Sequence, residues 1–294
     1  MKPYSKIPFY SDENLDNSET LQQITNQFVE ILNKYCSNFS LYCFGIKQES
    51  NTSSGIFDKI TASNQNHWKF SALLIAENLP ANTTANLIDL VSKDSNGRIE
   101  CTLICYSPKQ ISVSNNEHLH FFSKVIQSGW LVHGSPYELA KLQLTDLPEL
   151  DISSIETYCI NRITIAEHCI ELIRQSENDS LVKGNLLHSI VEQLCLSILY
   201  CFAYYHPNHF HLDYLLKFCS LFTFTPEKYF LKNPVYNKQL RSVINTGRHE
   251  LRFRNAGIYA KEDLIAAKSL CLGFADEMIP IIENQLDHLK KQRK

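Results

Sequence analysis

Glycine is scarce in this chain, with nine in 294 residues, and none falls in a Gly-x-x-x-x-Gly-Lys or Gly-x-Gly-x-x-Gly pattern. A glycine-built phosphate cradle and a dinucleotide fingerprint are therefore excluded, and no zinc-protease helix or nucleophile elbow is present either. Charge of one sign is also missing. Twenty-eight Lys and Arg against 31 Asp and Glu leave a formal charge of −3, which gives no general pull toward nucleic acid or an anionic membrane. The dense basic stretch at 290–294 reads as a solvated tail. Residues 1–17 are polar and mixed rather than basic and then apolar, and no window reads as long enough to span a bilayer. The expectation is no membrane and a cytoplasmic protein. Cys-x-x-Cys is absent although there are ten cysteines. They sit singly in apolar stretches such as Leu41-Tyr42-Cys43-Phe44 and Leu194-Cys195-Leu196, the pattern of free core thiols rather than zinc ligands or disulfides.

What is present divides near residue 150. The length alone favours two domains, with a polar N-terminal segment over 1–18, a first domain over 19–145 and a second over 150–294. In the first, Leu21, Ile24, Phe28, Ile31 and Leu32 recur at helical spacing. Short β-branched and aromatic runs predict strands at 39–45, 68–76 and 99–106, the last entered through an Asn96-Gly97 turn. Helices are predicted at 84–91 and 119–128, the latter closed by Gly129 ahead of the apolar Trp130-Leu131-Val132. The fold class is α+β, a small mixed sheet followed by an all-α antiparallel bundle.

After residue 150 strand signals fade. Ser153-x-x-Glu156 has the form of a capping box, and Ile152, Ile155, Cys159, Ile163, Ala166, Ile170 and Ile173 form one apolar stripe. Further helices are predicted at 181–205, 212–219, 236–254 and 261–289, with a kink at Pro280. Thr225-Pro226-Glu227 supplies another helix start.

Residues 39–45, a strand ending in glycine after an amphipathic helix, resemble the opening of a nucleotidyltransferase domain. That family follows the strand with Gly-Ser and carries Asp-x-Asp on the next strand to hold two magnesium ions, which need hard oxygen ligands. Here Gly45 is followed by Ile46. Phe70-Ser71-Ala72-Leu73-Leu74-Ile75 stands where the family has its aspartates, so Phe70 and Ala72 replace them. Glu100 and Asp58 are stray carboxylates. The resemblance implies a degenerate, catalytically silent scaffold, with Gly45, Ile46, Phe70 and Ala72 as its vestigial site. Phe121-Phe122 and the Gly129-Trp130-Leu131-Val132 segment extend the likeness.

In the second half, Leu187-His188-Ser189-Ile190-Val191-Glu192 resembles the Leu-His-Gln-Ala-x-Glu element of HEPN domains. His211-Leu212-Asp213-Tyr214-Leu215-Leu216 resembles the His-x-Leu-x-x-Leu that follows it, and Gly247-Arg248-His249 stands where that family often has Ala-Arg-Tyr. The whole chain thus resembles bacterial proteins in which a nucleotidyltransferase domain is fused to a HEPN domain.

His188 and Glu192 are also a residue pair in their own right, roughly 40° apart around a helix and beside its apolar stripe. With His211 and Arg248 they form the candidate ligand site. One reading is a polar network that fixes helix register. The other is a pocket for a nucleotide, an RNA or a related anion, with Arg248, Arg252 and Arg254 as phosphate contacts. Arg162-x5-His168 has the spacing of the HEPN ribonuclease motif, but six residues on a helix diverge by roughly 120°. His206, His209 and His211 would suit a transition metal by residue type, yet they lack the usual neighbouring ligands.

The expectation is a non-catalytic binding or regulatory protein without cofactor or metal, acting as a homo-oligomer or with a protein partner. The alternative is a metal-independent ribonuclease or a residual nucleotidyltransferase.

Overall fold

The computed structural model describes residues 18–51, 65–79, 83–137, 139–142, 144, 149–175, 180–247, 251 and 259–292. The chain forms two compact units, Met1–Glu149 and Leu150–Lys294.

The first unit opens with helix α1 (Ser18–Asn33), whose Ile24, Phe28, Ile31 and Leu32 are all buried. Strands β1 (Phe39–Asn51), β2 (Gln65–Ala76), β3 (Ile99–Tyr106) and β4 (Trp130–His133) form a mixed sheet in the order β3-β2-β1-β4. β1 runs antiparallel to both β2 and β4, while β2 and β3 are parallel and joined through helix α2 (Thr83–Asp94), as parallel neighbours require. Apart from the half-buried Glu100, side chains on both faces of β3 are buried, and its second half, Leu103 to Tyr106, is accordingly apolar at every position rather than alternating. Helices α3 (Pro108–Ser112) and α4 (Asn116–Ser128) precede β4. β4 closes on Gly134, at φ 85°. A Cβ there would lie 2.5 Å from the Phe39 carbonyl oxygen, so only glycine permits that approach.

β1 does not end at Gly45 but continues to Asn51, and Gly45 pairs with Ser71 across a bulge that follows Cys43. The polar residues 47–51 carry no strand periodicity of their own. They become strand because residues 65–69 of β2 offer a ladder to pair with.

His118, in the first turn of α4, has a pKa pulled down by burial from its ordinary 6.5 to about 4, because a charged imidazolium is poorly solvated there. The unfolded chain therefore binds the proton more readily than the folded one. Its stabilising contribution is complete above about pH 6.5 and is lost as the pH falls toward 4. Thermal melts of the first unit, followed by tryptophan fluorescence, should show His118→Gln removing a stability loss on the order of 2 kcal/mol across that window. An unchanged pH profile in the variant would contradict this.

The second unit is a helical bundle of α5 (Ile152–Gln175), α6 (Ser180–Ala203), α7 (Leu212–Cys219), α8 (Lys238–Ile244) and α9 (Lys261–Gln292), and the Thr225-Pro226 start leads into a π-helical turn at Glu227–Leu231. α5 is capped by Asp151, whose carboxylate accepts from the amides of Ser153 and Ser154, in place of the expected Ser153–Glu156 box. The predicted 236–254 helix is represented by the short α8, capped by Asn237 and closed at Asn245; 248–250 and 252–258 lie outside the described residues. α9 runs unbroken through Pro280.

α6 is buried on almost every side, packed against α5, α7, α8 and α9, and such a central helix has no polar face to keep. By length and composition it could cross a membrane, with a mean hydropathy of 1.6 over an 18-residue window. This corrects the expectation that no window approaches that length. Of that window, 72% is buried inside the protein, so its apolarity is accounted for by its neighbours in the bundle. All ten cysteines are buried and none is in a disulfide; burial pushes the Cys43 and Cys105 thiols up to about 12, which makes them poor nucleophiles.

Candidate functional site

A cavity of about 510 Å³ opens in the second unit, lined by Tyr158, Arg162, His188, Glu192, Gln193, Leu196, His206 and Phe210. Its residues come from three adjacent pieces of chain. Tyr158 and Arg162 stand one turn apart on α5. His188, Glu192 and Leu196 recur every fourth residue on α6 and so share a face. His206 and Phe210 come from the stretch between α6 and α7.

The polar members form a chain of contacts. Arg162 Nη1 donates to Gln193 Oε1 at 2.8 Å, and Gln193 Nε2 donates to Glu192 Oε2 at 3.3 Å. Glu192 Oε1 lies 3.8 Å from His188 Nε2. His188 Nδ1 is 2.9 Å from the Ile244 carbonyl oxygen, which can only accept, so Nδ1 carries a proton and Nε2 is the nitrogen turned toward Glu192. Gln193 is 4% exposed and stands as an oriented dipole between the guanidinium and the carboxylate, with its amide fixed at both ends.

The Arg162 guanidinium lies 4.6 Å over the Tyr158 ring, and its Nε is buried without a hydrogen-bond partner. Burial raises the Tyr158 phenol, with the nearby guanidinium acting in the opposite direction. Tyr158, Tyr200 and His206 pack as a cluster, with His206 stacked on Tyr200 at 4.1 Å and set across Tyr158 at 4.4 Å. A permanent cation with unused donors, a carboxylate, an oriented imidazole and aromatic walls can together hold a flat polar molecule that carries an anion.

Of the residues singled out from sequence, His188 and Glu192 line this cavity. His211 does not: it is exposed, caps the start of α7 without a side-chain hydrogen bond, and its ring lies 6.2 Å from His209. Arg248, Arg252 and Arg254 lie outside the described residues. Arg162 is brought into the cavity while His168 is exposed on the same helix, so the linear Arg-x5-His spacing does not become a pair there. The three histidines of 206–211 are dispersed, His206 into the cavity and His209 against Tyr214. Among the described residues no group of three His, Cys, Asp or Glu side chains is disposed to hold a metal.

In the first unit, Ile46, Phe70 and Ala72 are buried members of the core built with α1 and α2, and Phe70 packs on Phe28 with ring centroids 4.9 Å apart. Gly45 is a buried strand residue beside them. These positions therefore sit in a packed layer, not around an open cleft. Glu100 is occupied by His67 at 3.2 Å and Lys69 at 3.7 Å, and Lys69 also holds Glu49 at 3.0 Å; Asp58 lies outside the described residues.

Sequence reasoning missed Tyr158, Gln193, Leu196 and Phe210 and gave Arg162 and His206 to other patterns. The available signal was a polar pair spaced by four, Tyr158 and Arg162, beside the apolar stripe of α5, matching His188 and Glu192 beside that of α6. No protein-family model, curated protein or solved structure matches this chain.

Proposed function

We propose that this is a non-catalytic binding or regulatory protein, built as a degenerate nucleotidyltransferase-like unit followed by a HEPN-like bundle, and that the bundle cavity holds a nucleotide or related anion. The observation that carries the reading is Arg162. Its guanidinium lines a cavity of about 510 Å³, within the range of small-molecule sites, and is held there by Gln193 at 2.8 Å and by the Tyr158 ring at 4.6 Å. A permanent cation pre-positioned in a cavity lining is suited to receive an oxyanion. For the first unit, support comes from Phe70 and Ala72, which are 1% and 0% exposed and offer no oxygen to a divalent ion.

The direct test is isothermal titration of the full chain with nucleoside mono-, di- and triphosphates and with inorganic phosphate, without magnesium. Saturable binding of at least one nucleotide is expected. Silence across the whole set would overturn the nucleotide reading and leave the polar chain as a device for helix register.

A further inference from the structure

The cavity has one lining residue that packing does not account for. α6 stops at Ala203, and Tyr204 follows in the left-handed region at φ 58°, uncommon for a bulky side chain. The chain then passes His206 and Pro207 and brings Phe210 to the cavity while leaving it 55% exposed. A phenyl ring more than half in water forgoes burial that the hydrophobic effect would favour in proportion to area. His206, a few residues before it, is held by Tyr200 and Tyr158. Leu196, the aliphatic member of the lining, is 6% exposed. Phe210 and His206 thus offer aromatic surface at the same cavity where Arg162 offers a charge.

We infer that Phe210 and His206 form a ring-binding clamp, and that the ligand is a flat heteroaromatic ring carrying an oxyanion, of the nucleoside monophosphate class, in which ring and phosphate are read separately. The inference rests on the nucleotide reading above and adds the division of labour: Arg162 takes the phosphate, and the clamp takes the base. A ring inserted beside Phe210 would cover its exposed face, and every nucleobase has a π-face to offer. Stacking of this kind is worth roughly 5- to 150-fold in affinity per base. The carboxylate of Glu192 and the amide of Gln193 lie in the same lining, where they meet the polar edge of such a ring.

The experiment uses the full chain and three probes: the 5′-monophosphates AMP, GMP, CMP and UMP, the matching nucleosides, and ribose 5-phosphate. At least one nucleotide should bind about tenfold or more tightly than its nucleoside and than ribose 5-phosphate. Phe210→Ala should weaken nucleotide and nucleoside by a similar factor, roughly 5- to 50-fold, and leave ribose 5-phosphate unchanged. Because Phe210 is exposed, its melting temperature should stay at the parent value, which separates lost binding from lost folding. Phe210→Trp should show fluorescence quenched by nucleotide but not by ribose 5-phosphate. Ribose 5-phosphate binding as tightly as the nucleotide, or nucleotide affinity unaffected by Phe210→Ala, would overturn the clamp while leaving the anion site standing. Silence from all probes would remove the nucleotide reading and the clamp with it.

Discussion

Arg162→Ala should weaken nucleotide binding by roughly 30- to 150-fold, because it removes charge-assisted hydrogen bonds worth about 2–3 kcal/mol. The guanidinium is pre-positioned for this. Its plane is supported by the Tyr158 ring at 4.6 Å and one of its nitrogens is anchored on Gln193 at 2.8 Å, so little side-chain freedom is left to lose on binding. Arg162→Lys keeps the charge but loses the planar fork and the stacking, and should recover only part of the affinity. The comparison must include melting temperature, since Gln193 loses a partner in either variant. Nucleotide affinity within threefold of the parent in a folded Arg162→Ala protein would show that the anion is held elsewhere.

The second large effect concerns the first unit. Restoring aspartates as Phe70→Asp with Ala72→Asp should unfold it rather than create a metal site. Phe70 is 1% exposed and packs on Phe28, and Ala72 is fully buried. Removing a buried phenylalanine side chain costs about 3–5 kcal/mol, and placing unpaired carboxylates in the same layer costs several more. A domain's whole stability is only about 5–15 kcal/mol. The chain's two tryptophans, Trp68 and Trp130, both lie in the first unit. Their near-ultraviolet circular dichroism should therefore collapse in the double variant, while the far-ultraviolet signal of the α5–α9 bundle persists. Phe70→Leu, which keeps an apolar filler, should retain the native spectrum. A native spectrum together with magnesium binding in the double variant would mean that these two positions face an open cleft after all.

The sequence made some parts of the molecule plain and hid others for identifiable reasons. α1, α2, β3, α5, α7 and α9 are legible because each carries an apolar pattern that its own packing demands, such as Ile155, Cys159, Ile163 and Ala166 along α5. The second half of β1 is not, because Lys47, Gln48 and Glu49 are strand only through their partners Lys69, Trp68 and His67. The cap of α5 was misplaced because Ser153 and Asp151 are both good capping residues, and only geometry shows whose oxygen meets the amides. At the site, His188 and Glu192 could be paired by their spacing on one helix. Arg162 was not joined to them, since an antiparallel bundle sets α5 beside α6 without fixing which residues of the two helices face each other. Linear spacing offered Arg162 only His168, and the helix turns that residue outward, as six residues of helix require.

The central position of α6 bears on how the chain is made. Its last residue, Ala203, leaves the ribosome well before α9, one of the helices that cover it, is complete at Gln292. At about 5–20 residues per second, an apolar rod of 24 residues waits on the order of 10 s for its last cover. Throughout that interval it presents the surface that chaperones hold and that membrane-insertion machinery selects. Escape from both depends on how soon α5, already synthesised and adjacent, lies down along it.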